Sequence, residues 1–114
     1  MTVRNLTGIA GGAGRVRQTV EAEALIAECL DRFARGSIAA LYDLGVAFST
    51  ASHGVTCDLV EAHKWFNIAA ARGHEEAAWC RADVSEEMTA REIAEAQRRA
   101  REWLRADATE RRAA

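Results

Sequence analysis

Proline is absent from this chain of 114 residues, and the aromatic residues are limited to three tryptophans, three phenylalanines and one tyrosine. Proline interrupts both helices and strands, so its absence leaves long helices unbroken. No apolar stretch approaches the about 20 residues that a membrane-spanning helix needs. Residues 6–14 are too short and too rich in glycine for a secretory signal. We therefore expect a cytoplasmic protein with no membrane partner.

Cysteine is scarce, and the three that occur are Cys29, Cys57 and Cys80. An odd number at wide spacing favours reduced thiols over a disulfide framework. Together with the histidines they offer zinc-ligand types, as in His53-x3-Cys57 and His74-x5-Cys80, but no C-x2-C pair occurs. The glycine-rich run at residues 8–14 lacks the lysine and hydroxyl residue of a phosphate-binding loop. We expect no metal, no cofactor and no catalytic residues.

A charge excess of one sign is also lacking, since the formal net charge is −2. The charges are unevenly placed: residues 21–97 hold fourteen acids against six bases, whereas residues 98–114 hold six arginines against three acids. Nucleic acid is bound by basic faces, so the acidic centre argues against it and suits a partner with a basic surface. The alternative is that these charges are ordinary solvated helix faces.

What is abundant is alanine, glutamate and arginine, which favour helices. The sequence predicts a single all-α domain over residues 16–106, with a flexible N-terminal arm at 1–15 and a disordered tail at 107–114. Five helices are expected, over about 17–35, 37–50, 58–73, 75–84 and from 89 onward. The apolar stripe of the first is expected at Val20, Ala24, Ala27, Leu30 and Phe33 or Ala34, because these recur at steps of three to four.

Helix ends are marked by specific residues. Gly36 and Gly73 suit left-handed C-caps, and Ser37 is a possible N-cap. Asp58 and Glu61 have the spacing of a capping box, as do Thr89 and Glu92. Met88 and Ile93 flank the second box as a hydrophobic staple, and Glu95 is expected to pair with Arg99 on the solvent side of the last helix.

Gly45 lies in the middle of the second helix, where glycine costs about 1 kcal/mol relative to alanine. We therefore expect a neighbouring helix to press close to its backbone.

The chain also contains an internal repeat. Ala34-Arg35-Gly36 recurs as Ala71-Arg72-Gly73 after 37 residues, and each copy is followed by an alanine at the same offset, Ala40 and Ala77. Repeats of this length with two helices each are typical of α-solenoids. The sequence therefore predicts a short α-solenoid of antiparallel helix pairs with a C-terminal capping helix.

Residues 39–77 resemble one full unit of the Sel-one-like repeat family, which is related to tetratricopeptide repeats. The resemblance rests on thirteen positions, with Ser52 as a departure because the family places a glycine there. These positions are Ala40, Leu44, Gly45, Phe48, Gly54, Asp58, Ala62, Trp65, Phe66, Ala69, Ala70, Gly73 and Ala77. The resemblance implies a scaffold of stacked helix pairs that binds other proteins, in which Trp65 and Phe66 are packed rather than catalytic.

Trp79 follows the repeat without belonging to its pattern. It suits either a core position, which we favour, or an exposed anchor for a partner.

We expect a non-enzymatic adaptor or accessory subunit that binds another protein, such as a larger enzyme or complex, through helix faces or the N-terminal arm. Self-association is a further possibility. The alternative is a small regulatory nucleic-acid-binding protein that uses Arg98, Arg101 and Arg105 on one side of the last helix.

Overall fold

The computed structural model describes residues 18–113, and the predicted arm at 1–15 lies outside them. The described residues form five helices and no strand. These helices are α1 (Val20–Ala34), α2 (Ala39–Thr50), α3 (Leu59–Ala71), α4 (Glu75–Ser85) and α5 (Ala90–Ala113). The predicted all-α fold of short antiparallel helix pairs is confirmed. None of the helices in residues 18–113 combines the length and the apolar composition of a bilayer-spanning segment.

Helix α3 is the centre of the stack, because α2, α4 and α5 all pack against it. Its contacts with α5 advance in the same direction along both helices, from Glu61 with Arg99 to Arg72 with Asp107. Helices α3 and α5 are therefore parallel, as equivalent helices of successive repeats are. Helix α1 packs against α2, and its Phe33 also reaches Trp103 of α5.

The core lies between α2 and α3. Small residues allow the two backbones to approach, and large side chains fill the remaining space. The predicted close approach of a neighbouring helix to the backbone of Gly45 is confirmed, because a Cβ at this position would stand 2.5 Å from the ring of Phe66 in α3. The large side chains that are fully buried in the core include Leu41, Leu44, Phe66 and Ile68.

The two copies of the Ala-Arg-Gly repeat end their helices with the same backbone geometry. Gly36 has φ +106° and donates its N–H to Phe33, while the next residue donates to Arg32. Gly73 has φ +97° and donates to Ala70, while the next residue donates to Ala69. The repeat of 37 residues is therefore structural at these two turns, because both are left-handed glycine caps with the same pair of hydrogen bonds.

The expected apolar stripe of α1 was largely wrong. Val20 is 81% exposed, and Ala24 and Ala27 also face solvent. The buried residues are instead Ala22, Cys29 and Phe33, with Leu25 and Ile26 packed beside them. This face carries the bulkier side chains, so burying it removes more apolar surface from water.

The predicted disordered tail at 107–114 was also wrong, because α5 continues to Ala113. Asp107 accepts a hydrogen bond from Arg72, the residue after α3, at 2.8 Å and pairs with Arg111 one turn later at 3.2 Å. Arg111 in turn lies 5.8 Å from the ring centre of Phe33. These contacts to α1 and α3 hold the last turns in a helix that composition alone did not predict.

Helix starts follow the sequence in most places. Asp58 caps α3 by accepting from the N–H of Glu61, and Thr89 and Glu92 make both hydrogen bonds of a capping box. Ser37 does not cap α2, which begins through a tight turn at Ile38 without a side-chain hydrogen bond. The equivalent residue of the second copy, His74, caps α4 by accepting from the N–H of Ala77 at 3.1 Å.

Candidate functional site

Trp65 and Phe66 belong to the core. Trp65 is 4% exposed and lies edge-on to Trp103 of α5, with ring centres 5.5 Å apart. Phe66 lies against Tyr42 of α2, with ring centres 5.8 Å apart. Neither ring is open to a ligand, so the two aromatics hold three helices together.

Trp79 is exposed, which corrects the expectation of a core position. Three quarters of its surface (75%) is open to solvent, whereas Ala77 and Val84 of the same helix are buried. The reason is the neighbourhood of α4: it packs on α3 and touches α2, and α5 turns onto α3 instead of covering α4. The outer face of α4 therefore has no neighbour among residues 18–113.

Acidic residues surround Trp79 on this outer face. Glu75 and Asp83 lie one turn before and one turn after it, Glu76 lies three residues before and Glu86 seven after, and all four are exposed. At these spacings they share the helix face of the indole. We define the α4 outer face as Glu75, Glu76, Trp79, Asp83 and Glu86. The spacing of these acidic residues relative to Trp79 can be read from the sequence. That they form an exposed acidic surface around an indole is seen only in the structure.

The one cation within α4 is turned away from the α4 outer face. Arg81 donates to the side-chain oxygen of Asn67 in α3 at 2.7 Å and is only partly exposed. The α4 outer face is therefore acidic without a basic residue of its own helix.

Tyr42 occupies the position of the preceding copy that corresponds to Trp79, 37 residues earlier. It stacks on the imidazole of His74, with ring centres 4.6 Å apart and planes 13° from parallel. Its hydroxyl lies 3.9 Å from the sulfur of Cys80. Burial and the neighbouring Cys80 raise the pKa of Tyr42. In the first copy, a following helix thus covers the aromatic residue that the second copy leaves exposed.

Some arginines of α5 form ion pairs with acidic residues, whereas others are exposed to solvent without an ion pair. Arg98 pairs with Glu95 and Glu102 at 2.6 Å each, and the hydrogen bonds from Arg98 and Arg99 lower the pKa of Glu95 to about 2. Arg101 and Arg105 are exposed and make no ion pair with another described residue. The basic face proposed for nucleic acid thus keeps two uncompensated arginines, because Arg98 is neutralised locally.

A buried group of charges joins α3 to α5. Glu61 pairs with Lys64 and with Arg99, each at 2.9 Å, and all three side chains are about nine-tenths buried. Burial would raise the pKa of the Glu61 carboxyl, but the two cations outweigh it and hold the pKa below its ordinary value. Arg99 pairs with Glu95 at 2.7 Å, as expected, but it is largely buried instead of facing solvent. Glu61 completes only half of its capping box, because its carboxylate pairs with these cations and the N–H of Asp58 donates to Phe48. Sequence spacing within one helix carries no signal for this contact between helices.

A shallow groove of about 560 Å³ lies between the C-terminal ends of α1 and α5. Its apolar lining comes from Leu30, Phe33 and Trp103, and its rim carries Asp107 and Arg111. Phe33 and Trp103 contact each other across its floor, with ring centres 5.5 Å apart. Asp107 and Arg111 are paired with each other, and Glu110 is the remaining charged residue of the lining.

The histidines and cysteines do not converge. His74 is occupied as the cap of α4, His63 is buried between α3 and its neighbours, and Cys29 is buried in α1. Burial, with Arg81 nearby, lowers the pKa of His63. Among residues 18–113, no three acidic, histidine or cysteine side chains are grouped so as to hold a metal ion.

Comparisons of the chain with protein-family models, with curated proteins and with solved structures found no match. The geometry of the α4 outer face therefore carries the functional argument.

Proposed function

We propose that this chain is a non-enzymatic protein–protein interaction module, a small adaptor or accessory subunit that binds a partner protein through the α4 outer face. The observation that carries the proposal is Trp79, a large aromatic side chain that is 75% exposed on a helix with one uncovered face. Tryptophan is enriched among the residues that dominate binding at interfaces. Its apolar surface stays in contact with water until a partner covers it.

The rest of the fold supports a scaffold role. Trp65 and Phe66 are buried in the core, and the buried carboxylate of Glu61 pairs with both Lys64 and Arg99. The proposal includes membership of the Sel-one-like repeat family, supported by the residue pattern at 39–77 and by the matching glycine caps at Gly36 and Gly73. The proposal also includes a cytoplasmic location.

The test compares two variants of exposed apolar residues. The tagged chain is used to capture partners from its source cells, and the captured protein is identified, purified and titrated against the wild type, Trp79→Ala and Val20→Ala. Val20 is a matched control because it is 81% exposed, on α1. We expect at least a tenfold weaker Kd for Trp79→Ala and an unchanged Kd for Val20→Ala. Equal affinities for all three chains, or failure of any purified protein to bind, would contradict the proposal.

A further inference from the structure

The fold itself indicates what kind of element covers Trp79. Tyr42, the equivalent residue one copy earlier, is covered by the start of α4: His74, the N-cap of that helix, stacks on its ring, and Cys80 lies against its hydroxyl. The side of α4 that carries Trp79 corresponds to the side of α2 that carries Tyr42, 37 residues earlier. No helix among residues 18–113 packs on this side of α4. A helix laid on this side would continue the stack in the way that α4 continues α2. The geometry therefore favours a helical occupant over an extended peptide.

The acidic charges of the α4 outer face favour a bound helix that is rich in basic residues. Glu75, Glu76, Asp83 and Glu86 lie around the indole, and the cation of the same helix, Arg81, is held by Asn67. An acidic helix placed here would bring like charges together, whereas a basic one would gain ion pairs and a faster encounter. The occupant is thus expected to present lysines or arginines toward α4.

The indole itself is suited to a cation. Basic side chains lie on aromatic rings elsewhere in the chain, with the ammonium of Lys64 4.1 Å from the ring centre of Trp65 and the guanidinium of Arg72 5.4 Å from that of Phe33. Tryptophan binds cations through its ring face more strongly than other aromatic residues do. At Trp79 the ring is open, and Glu75 and Asp83 lie one turn away on either side.

We propose that the α4 outer face binds an amphipathic helix of a partner protein that is rich in arginine and lysine, with one basic side chain on the ring of Trp79 and others paired with Glu75, Glu76 and Asp83. This inference rests on the proposed function and specifies its partner. The contact is an extension of the helical stack, in which charge determines the choice of partner. It is weakened by salt, because its ion pairs lie at the surface.

The test uses a synthetic amphipathic helix of 18 residues with leucines on one side and lysines and arginines on the other. Its control is the same peptide with glutamate in place of every basic residue. Each carries a fluorescent label, and binding is followed by anisotropy at 50 mM and 300 mM NaCl. We expect the basic helix to bind the wild type, with at least a fivefold loss at the higher salt concentration, and the acidic helix not to bind.

The chain variants separate the α4 outer face from general electrostatics. Glu75→Lys/Asp83→Lys reverses two charges of the face, and Glu23→Lys/Glu28→Lys makes the same change in net charge on exposed positions of α1. Trp79→Ala and the first double variant are expected to weaken binding of the basic helix at least tenfold. The second double variant and Val20→Ala are expected to change it less than threefold. Circular dichroism establishes that each variant is folded before it is titrated.

Several results would overturn the inference. Equal losses in the two double variants would show nonspecific attraction, and unchanged binding in Trp79→Ala would place the peptide elsewhere. A wild-type dimer that Trp79→Ala converts to a monomer in sedimentation would identify a second copy as the occupant. If the basic helix fails to bind while a purified partner still depends on Trp79, the partner class is wrong and the proposed function stands. If no partner depends on Trp79, both proposals fail.

Discussion

Gly45 of α2 faces the ring of Phe66 of α3 so closely that a methyl group on Gly45 would stand 2.5 Å from two of its carbon atoms. Both residues are buried in the interface between the two helices. The glycine therefore sets the distance between α2 and α3, and the cost of glycine in a helix is offset by the packing that it permits.

Replacing Gly45 with alanine is expected to destabilise the fold. Alanine favours the helix by about 1 kcal/mol, but the displaced Phe66 ring and the strain of overpacking cost about 1–3 kcal/mol. Chemical denaturation measures the net change in the free energy of unfolding. In a Phe66→Leu background the same substitution is expected to cost less, because the ring is absent. A Gly45→Ala protein more stable than the wild type would contradict this account of the interface.

Replacing Glu61 with glutamine is expected to lower the free energy of unfolding by about 1–3 kcal/mol, because Lys64 and Arg99 lose a shared buried carboxylate while Arg99 keeps its pair with Glu95. Glu102→Gln is the matched control. It removes a surface ion pair with Arg98, and such pairs contribute about 0–1 kcal/mol. Urea unfolding at pH 7 measures both changes. Equal effects of the two substitutions would show that the buried charges do not hold α5 to α3.

The same carboxylate predicts the response to acid. The pKa of Glu61 in the folded chain lies below its ordinary value of 4.5, so the unfolded chain takes up the proton first as the pH falls. The stabilisation is fully present above pH 4.5 and is lost as the pH falls through the lowered pKa. The stability difference between the wild type and Glu61→Gln is therefore expected to shrink below pH 4.5. A constant difference down to pH 3 would contradict the pairing.

His63 predicts a second loss of stability at milder acidity. It is 2% exposed, and its burial together with Arg81 lowers its pKa from the ordinary 6.5. The unfolded chain then binds the proton more readily, so stability decreases as the pH falls below 6.5. His63→Leu is expected to flatten this decrease between pH 6.5 and 5, and His53→Asn, at an exposed position, is expected to retain it. An identical pH profile for all three chains would exclude His63 as the cause.

The sequence predicted the helices and their ends better than their faces. Caps such as Gly73 and Thr89 act through hydrogen bonds within a few residues, so local spacing is enough to place them. Which side of α1 is buried depends on the shape of α2, and the length of α5 depends on Arg72 at the end of α3. Those partners are distant in sequence, and a single sequence carries no record of such pairings.

The candidate site illustrates the same limit. The acidic residues around Trp79 were visible as spacing, but a core position was favoured for Trp79 over an exposed anchor. Its exposure results from the course of α5, which packs on α3 and leaves α4 uncovered. No local property of residues 75–87 determines that course.

If Trp65 stabilises the fold and Trp79 binds the partner, their alanine variants differ in folding and in affinity toward the purified partner, and measuring both is the most direct test. Trp79→Ala is expected to unfold at the wild-type temperature and to bind at least tenfold more weakly. Trp65→Ala is expected to lose about 3–5 kcal/mol of stability, as truncated core aromatics do. A folded Trp65→Ala protein that has lost the partner, beside a Trp79→Ala protein that binds normally, would contradict the central claim.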